Sequence, residues 1–331
     1  VKAYVIPDAQ ARGIDAVRLA DVPEPVAGPG HVLVKVHAAG LNPVDYKLAE
    51  GGNASWTYPH VLGLDVAGEI VAIGEGVEDT WKVGMRVAGH GDLRCDGCFA
   101  EYVSAPAYEL ALIPDDVTYT TAAGLLCGAL TAYQTINRKP NLNLVRTALV
   151  HGGSGAVGGI AAQLAKMHGV TVLTTCSTRN VDFVREHVRP DAIIDYRTED
   201  VDARVRELTG GLGADLIVDT VSGREAQRDL DRLAYNGQLV TIVNVPPISD
   251  AQMFARALSV DVVNLGGAHA SGNPVERRDL GTMASDVLSM VSQGELDPLI
   301  TGVLPFADLV EGLRSLAEHR VTGKLVVDMD R

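Results

Sequence analysis

The spacing of hydrophobic and polar positions changes once along this chain. Up to about residue 120, apolar residues come in short runs with every-other spacing, cut by glycine and proline. In "HVLVKVHAAGLNP" (31–43), Val32, Val34 and Val36 share one face, and "VLGLDVAGEIVAIGEGV" (61–77) adds β-branched residues between glycines. This period of two predicts short strands, gathered into a closed or nearly closed barrel.

From about residue 147, apolar strands alternate with helical stretches. "TALVH", "VTVLTTC", "DAIID", "DLIVDTV", "QLVTIVN" and "VDVVNLGG" are six candidate strands, and their βα alternation predicts a parallel, doubly wound sheet. Beyond 268, "TMASDVLSMVSQGEL" and "ADLVEGLRSLAEHR" read as helices and "GKLVVDM" as a terminal strand that returns to the first domain. The expected organisation is one domain of residues 1–121 completed by 268–331, and a second of residues 122–267.

Charge and cysteine content narrow the function classes. Twenty-eight basic against forty-two acidic side chains give a net charge of -14, which removes any general attraction to nucleic acid or an anionic membrane surface. The start "VKAYVIPDAQ" has no leader pattern, and no apolar run approaches the ~20 residues needed to span a bilayer. Cys95, Cys98, Cys127 and Cys176 make no disulfide framework in a chain of this size. A cytoplasmic location is therefore expected.

The densest chemical signal is "ALVHGGSGAVGGIAAQLAKMHG" (148–169). Gly153, Gly155 and Gly158 have G-x-G-x-x-G spacing directly after a strand, and Val157, Ile160, Ala161, Leu164 and Ala165 then mark one helix face. Glycines at these places permit a tight turn, close approach of backbone to a diphosphate, and close helix–strand packing. The helix N-terminus supplies N–H groups and partial positive charge. Gly153, Ser154, Gly155, Ala156 and Val157 are thus expected to hold a dinucleotide.

The end of the next strand, "TTCSTRNVD" (174–182), reports on which dinucleotide. An acid there would hold the ribose hydroxyls of NAD, but Asp182 comes too late. Ser177, Thr178 and Arg179 offer hydroxyls and a guanidinium suited to a 2′-phosphate, so NADP(H) is the expected cofactor. An ordinary solvated Arg179 is the alternative.

Together, "NPVDYK" (42–47), "GLDVAGEIVAIGEGV" (63–77), "FAEYV" (99–103), "LTAYQ" (130–134), the glycine turn and "GKLVV" (323–327) resemble the medium-chain dehydrogenase/reductase superfamily, in its zinc-independent quinone oxidoreductase branch. The resemblance spans nearly the whole chain. It implies an α/β protein in which a GroES-like β-barrel catalytic domain is joined to a Rossmann domain with a doubly wound parallel six-stranded sheet. NADPH is expected in the cleft, and a homodimer through Rossmann edge strands. It further implies cofactor contacts from Thr131 and Tyr196, from Val221, Asn244 and Val245 in the turns after later strands, and from Lys324.

Within this superfamily, the three catalytic zinc positions fall on Asn42, Leu64 and Cys127, and only one retains a usual ligand. Cys95 and Cys98 are half of a four-cysteine structural site, with His90 nearby in sequence. No metal is expected. Without one, the charge left on the acceptor by hydride transfer must be delocalised or hydrogen-bonded, which favours quinones, enones and enals over simple ketones. The resemblance places Asn42, Tyr46 and Lys47 beside the nicotinamide as donor candidates; turn formation, barrel covering and solvation are their plain alternatives. Trp56 is a candidate wall for an aromatic acceptor. The rival readings are a reductase of simple aldehydes or ketones and a non-catalytic NADPH-binding protein of crystallin or regulatory type.

Overall fold

The computed structural model describes residues 1–331 and divides into two units, Val1–Leu130 with Gly266–Arg331, and Thr131–Leu265. The chain opens with β1 (Lys2–Ile6), β2 (Arg18–Asp21), β3 (His31–Gly40) and α1 (Pro43–Gly51). β4 (His60–Val61), β5 (Asp65–Ile73), β6 (Arg86–His90), β7 (Tyr102–Pro106) and β8 (Leu110–Leu112) lead to α2 (Tyr119–Tyr133). The second unit holds β9 (Thr147–Val150), α3 (Ala156–Met167), β10 (Thr171–Cys176), β11 (Ala192–Asp195), β12 (Ala214–Asp219), β13 (Leu233–Thr241) and β14 (Ser259–Val262). A helix, Pro274–Ser292, then β15 (Ile300–Pro305) and β16 (Lys324–Asp328) complete the first unit.

In that first unit, β3 organises the main sheet. Val32, Val34 and Val36 are buried on it, as their alternation requires. Register shifts between Leu33 and Val34 and between Val36 and Ala38 bend the strand, which pairs with β5 along its length and with β7 and β16 on its other edge. The sheet order β15-β16-β3-β5-β6-β8 has no β15–β8 pair. The expected closed or nearly closed barrel is thus a sheet whose end strands β15 and β8 are not paired, while β1 forms a separate three-stranded sheet with β2 and β4. The "GKLVV" strand returns to pair antiparallel with β3, Val326 opposite Gly40.

The second unit is a six-stranded parallel sheet in the order β11-β10-β9-β12-β13-β14, the doubly wound arrangement with a reversal of strand order beside β9. Leu149, Leu173, Ile194, Ile217 and Leu239 form its core. Composition puts the junctions at 121/122 and 267/268, whereas backbone proximity divides the chain within α2 and at Leu265/Gly266. A continuous helix carries no turn signal to mark such a division. No helix is long and apolar enough to cross a membrane.

Candidate active site

The glycine turn leaves β9 at Val150 and enters α3, with Gly155 as the residue before the first helical position. A Cβ on Gly158 would lie 2.3 Å from the Gly152 carbonyl oxygen, and one on Gly153 would lie 2.3 Å from Thr174 Oγ1. Both glycines serve close packing. At Gly155 the nearest atom to a Cβ would be Gly152 O at 3.5 Å, so here backbone is open to an approaching group. Ala156, Val157 and Gly158 begin α3, and first-turn N–H groups have no acceptor within the helix. With the helix dipole they form an anion cradle that fits a dinucleotide diphosphate. Ser154 Oγ accepts from Asn180 Nδ2 at 3.0 Å.

Beside this turn, β10 ends at Cys176, paired in register with Asp195 of β11. Tyr196 N–H donates to Cys176 O, bringing the exposed Tyr196 ring to the strand end that carries Ser177 and Arg179. Two expectations need correction at this rim. Thr178 Oγ1 donates to Asp195 Oδ2 at 2.6 Å, so its proton is not available to a phosphate. An acid is present after all: lateral pairing of β11 with β10 supplies Asp195, which the strand-end reading along β10 could not see. The Thr178 hydroxyl, together with Arg197 N–H, holds Asp195 below the usual carboxylate range despite its burial.

The remaining second-unit candidates, Val221, Asn244 and Val245, are exposed just beyond the ends of β12 and β13. Asn244 O accepts from Thr241 Oγ1 at 2.7 Å. They share the carboxyl end of the sheet with the glycine turn, where ligands of such sheets bind. Thr131 is buried within α2.

The first unit carries a separate polar cluster. Asn42 precedes α1, Pro43 opens it, and Asp45 Oδ2 accepts the Asn42 N–H at 2.7 Å, half of a capping box. Asn42 Nδ2 donates to Asp65 Oδ2 at 2.8 Å, and its Oδ1 accepts from Lys324 Nζ. The buried amide is therefore engaged at both ends, and Asn42 belongs to the framework rather than to the donors aimed at an acceptor. Lys324 is corrected likewise. Its ammonium is buried against Asn42 and, at 3.3 Å, Asp65, not presented to a cofactor.

Asp65 is the centre of this cluster and was not a sequence candidate. It also meets His90 Nδ1 at 2.8 Å and accepts the Cys127 N–H at 3.0 Å. Burial pushes its carboxyl up, but Lys324, His90 and Asn42 outweigh burial and hold it below the usual range. The available signal was an acid inside the apolar run "VLGLDVAG", since a buried charge requires partners. Asp45, lacking a cation in contact, is pushed up to about 8 mainly by burial.

These residues do not fit a catalytic zinc. Leu64 offers no ligand atom, the Asn42 oxygen faces an ammonium, and burial with the Asp65 charge pushes the Cys127 thiol well up. Cys95 and Cys98 are free, the latter buried. Tyr46 is half-buried on α1, its phenol raised by burial and by Glu50 one turn on, and its hydroxyl takes no partner in the chain. Lys47 is exposed. Trp56 is no substrate wall: it is buried, stacked on His60 at 4.0 Å, and its Nε1–H donates to Leu93 O.

The sequence matches the alcohol dehydrogenase GroES-like domain family over residues 28–115 and the zinc-binding dehydrogenase family over residues 190–327. It is 30% identical over 336 residues to the synaptic vesicle membrane protein VAT-1 homolog of Rattus norvegicus, covering 95% of this chain and 81% of that one. Over 203 residues it is 40% identical to the trans-enoyl reductase pgmF of Aspergillus terreus, 59% of this chain and 56% of that one. Among solved structures, a mycobacterial quinone oxidoreductase is 30% identical with a TM-score of 0.85, 99% of each chain being covered. A mycobacterial structure complexed with NADPH is 29% identical with a TM-score of 0.86, covering 99% of this chain and 100% of that one.

Proposed function

Because this chain belongs to the medium-chain dehydrogenase/reductase superfamily, we propose that it is an NADPH-dependent, metal-free reductase of quinones or α,β-unsaturated carbonyl compounds. The observation that carries this reading is the Lys324–Asn42–Asp65 cluster, in which the amide at one catalytic zinc position is tied up by an ammonium and a carboxylate, while Leu64 at another offers no ligand atom. With no Lewis acid provided for, the acceptor must itself spread the arriving charge, as a phenolate or enolate does. The likeness to a quinone oxidoreductase and a trans-enoyl reductase supports that acceptor class.

Bound NADPH supplies the hydride. The chain supports it with the open Gly155 backbone and the first N–H groups of α3 for the diphosphate, and with Ser177, Arg179 and Tyr196 for the 2′-phosphate. Likeness to an NADPH-complexed structure agrees with this preference. The Asp195 charge opposes it, which makes the rim a direct test. Tyr46 is the donor to the acceptor oxygen: its raised phenol stays protonated at neutral pH and can pass a proton once charge has arrived. Exposed Lys47, the next residue of α1, adds a positive charge to the same helix. β14 ends the sheet with one unpaired edge, the place for a second copy to add a strand; sedimentation measures it.

The deciding experiment mixes the purified protein with NADPH or NADH and a panel of quinones, alkenals and plain ketones, following nicotinamide absorbance. Oxidation of NADPH with conjugated acceptors is expected. Turnover of plain ketones alone would replace the acceptor class, and binding without turnover would leave a dinucleotide-binding protein that is not an enzyme.

A further inference from the structure

A buried polar chain lies directly beneath the glycine turn and has no part in the chemistry above. We propose that Thr175 is a positioning residue for the cofactor diphosphate, acting through the glycine turn, with its hydroxyl direction set by His151 and Asp229. The inference rests on the dinucleotide reading.

Gly152 leaves β9 with φ of 70°, which turns its N–H out of the sheet ladder. Thr175 Oγ1 catches that N–H at 3.2 Å, and Thr175 O accepts the next one, from Gly153, at 2.9 Å. One residue at the end of β10 therefore fixes two consecutive turn positions. Alternation along β10 sends the Thr174 side chain to the opposite face, where Oγ1 donates to Val150 O at 2.6 Å and fills the space beside Gly153. From the next strand of the sheet, Thr220 Oγ1 donates to His151 O at 2.9 Å. Three threonines from two strand ends grip a turn whose glycines would otherwise leave it free to rearrange.

The donor balance then decides which way the Thr175 hydroxyl points. The buried His151 ring has Nε2 at 2.9 Å from Asp229 Oδ1 and Nδ1 at 3.1 Å from Thr175 Oγ1. A carboxylate only accepts, so Nε2 carries the proton and a neutral ring offers Nδ1 as acceptor. With that tautomer Thr175 donates to Nδ1, which leaves an oxygen lone pair for Gly152 N–H. Arg232 Nη1 donates to Asp229 Oδ1 at 2.7 Å and also to Glu225. His151, Glu225 and Asp229 have the spacing of a metal-ligand group, but the Arg232 guanidinium already supplies the positive charge between the two acids. The chain Arg232, Asp229, His151, Thr175, Gly152 thus runs from a buried cation to the turn, holding the cradle in its binding shape before the ligand arrives.

The test compares wild type, Thr175→Val and Thr175→Ser by NADPH and NADH titration on nicotinamide fluorescence, and by steady-state kinetics. Valine keeps the shape and removes the hydroxyl; serine restores it. Losing one such bond corresponds to about tenfold. Thr175→Val is expected to raise Kd and KM for the dinucleotide by about that factor, with kcat at saturating cofactor changing less than twofold and Thr175→Ser returning to within twofold of wild type. Should the valine variant not fold, Thr175→Cys gives the same comparison with a weak hydrogen-bonding group. Unchanged affinity in the valine or cysteine variant, or a serine variant as weak as valine, overturns this inference alone. A wild-type protein that binds neither dinucleotide overturns the cofactor reading together with it.

Discussion

The ammonium of Lys324 stands 3.3 Å from the carboxylate of Asp65, both side chains buried, at the start of the strand that rejoins β3. Either ion alone would be costly to bury. The pair is tolerated because Asn42, His90 and the Cys127 N–H satisfy the rest of its hydrogen-bonding capacity. Lys324→Met leaves a buried negative charge and is expected to cost about 3–5 kcal/mol, read as a lower urea midpoint. Adding Asp65→Asn to that variant removes the stranded charge and recovers part of the loss. A double variant no more stable than Lys324→Met would argue against this account of the pair.

Two glycines of one turn separate binding from folding. A Cβ on Gly158 meets backbone oxygens at 2.3 and 2.5 Å, whereas one on Gly155 has only Gly152 O at 3.5 Å. Gly158→Ala should therefore lower thermal stability. Gly155→Ala should keep it and raise KM for NADPH about tenfold, because the added methyl occupies the path of the diphosphate. Equal melting temperatures for the two variants would contradict this division.

On the proposed cofactor placement, Arg179 favours a 2′-phosphate and the Asp195 charge disfavours it. Arg179→Ala should raise KM for NADPH about tenfold and leave KM for NADH nearly unchanged, since only the former carries the 2′-phosphate. Asp195→Asn should move the ratio the other way by removing a like charge. If Arg179→Ala weakens both cofactors equally, the guanidinium has no phosphate-specific role.

Tyr46→Phe removes the one phenol on α1 whose hydroxyl takes no partner in the chain. Turnover of enals should fall about tenfold or more, with KM for the dinucleotide little changed. Full activity in this variant would assign the proton to another group or to water.

Asp45 gives a pH signature. Its carboxyl is pushed up to about 8 in the folded chain, mainly by burial, against about 3.9 when unfolded. Between those values the folded state retains a proton that the unfolded state releases, so stability falls as pH rises, by up to about 1.4 kcal/mol per pH unit. Asparagine keeps an oxygen for the Asn42 N–H and does not titrate. Urea melts from about pH 5 to about pH 8 should show Asp45→Asn gaining on wild type as pH rises. Parallel curves would mean that Asp45 does not hold its proton.

Much of the second unit was legible because its determinants are local. Six apolar runs became six strands, and the glycine spacing between strand and helix became a turn with an open Gly155. The barrel reading was coarser, since alternation reports which face is buried and not whether the last strand pairs with the first. Asn42 and Lys324 were read as ligand-facing groups, because neither position reveals that they meet each other and Asp65.

The order of residues by itself determined the strand and helix periods, the family and the glycine turn between strand and helix, all set by neighbours within a few positions along the backbone. Only the tertiary structure decided which polar side chains are spent on one another. Asp195 came beside the end of β10 through lateral strand pairing, His151 met Thr175 and Asp229 through packing across the sheet, and Lys324 met Asn42 at the chain's return. Burial obliges such groups to find partners, and partners far apart in sequence are chosen by the folded backbone rather than by any local pattern.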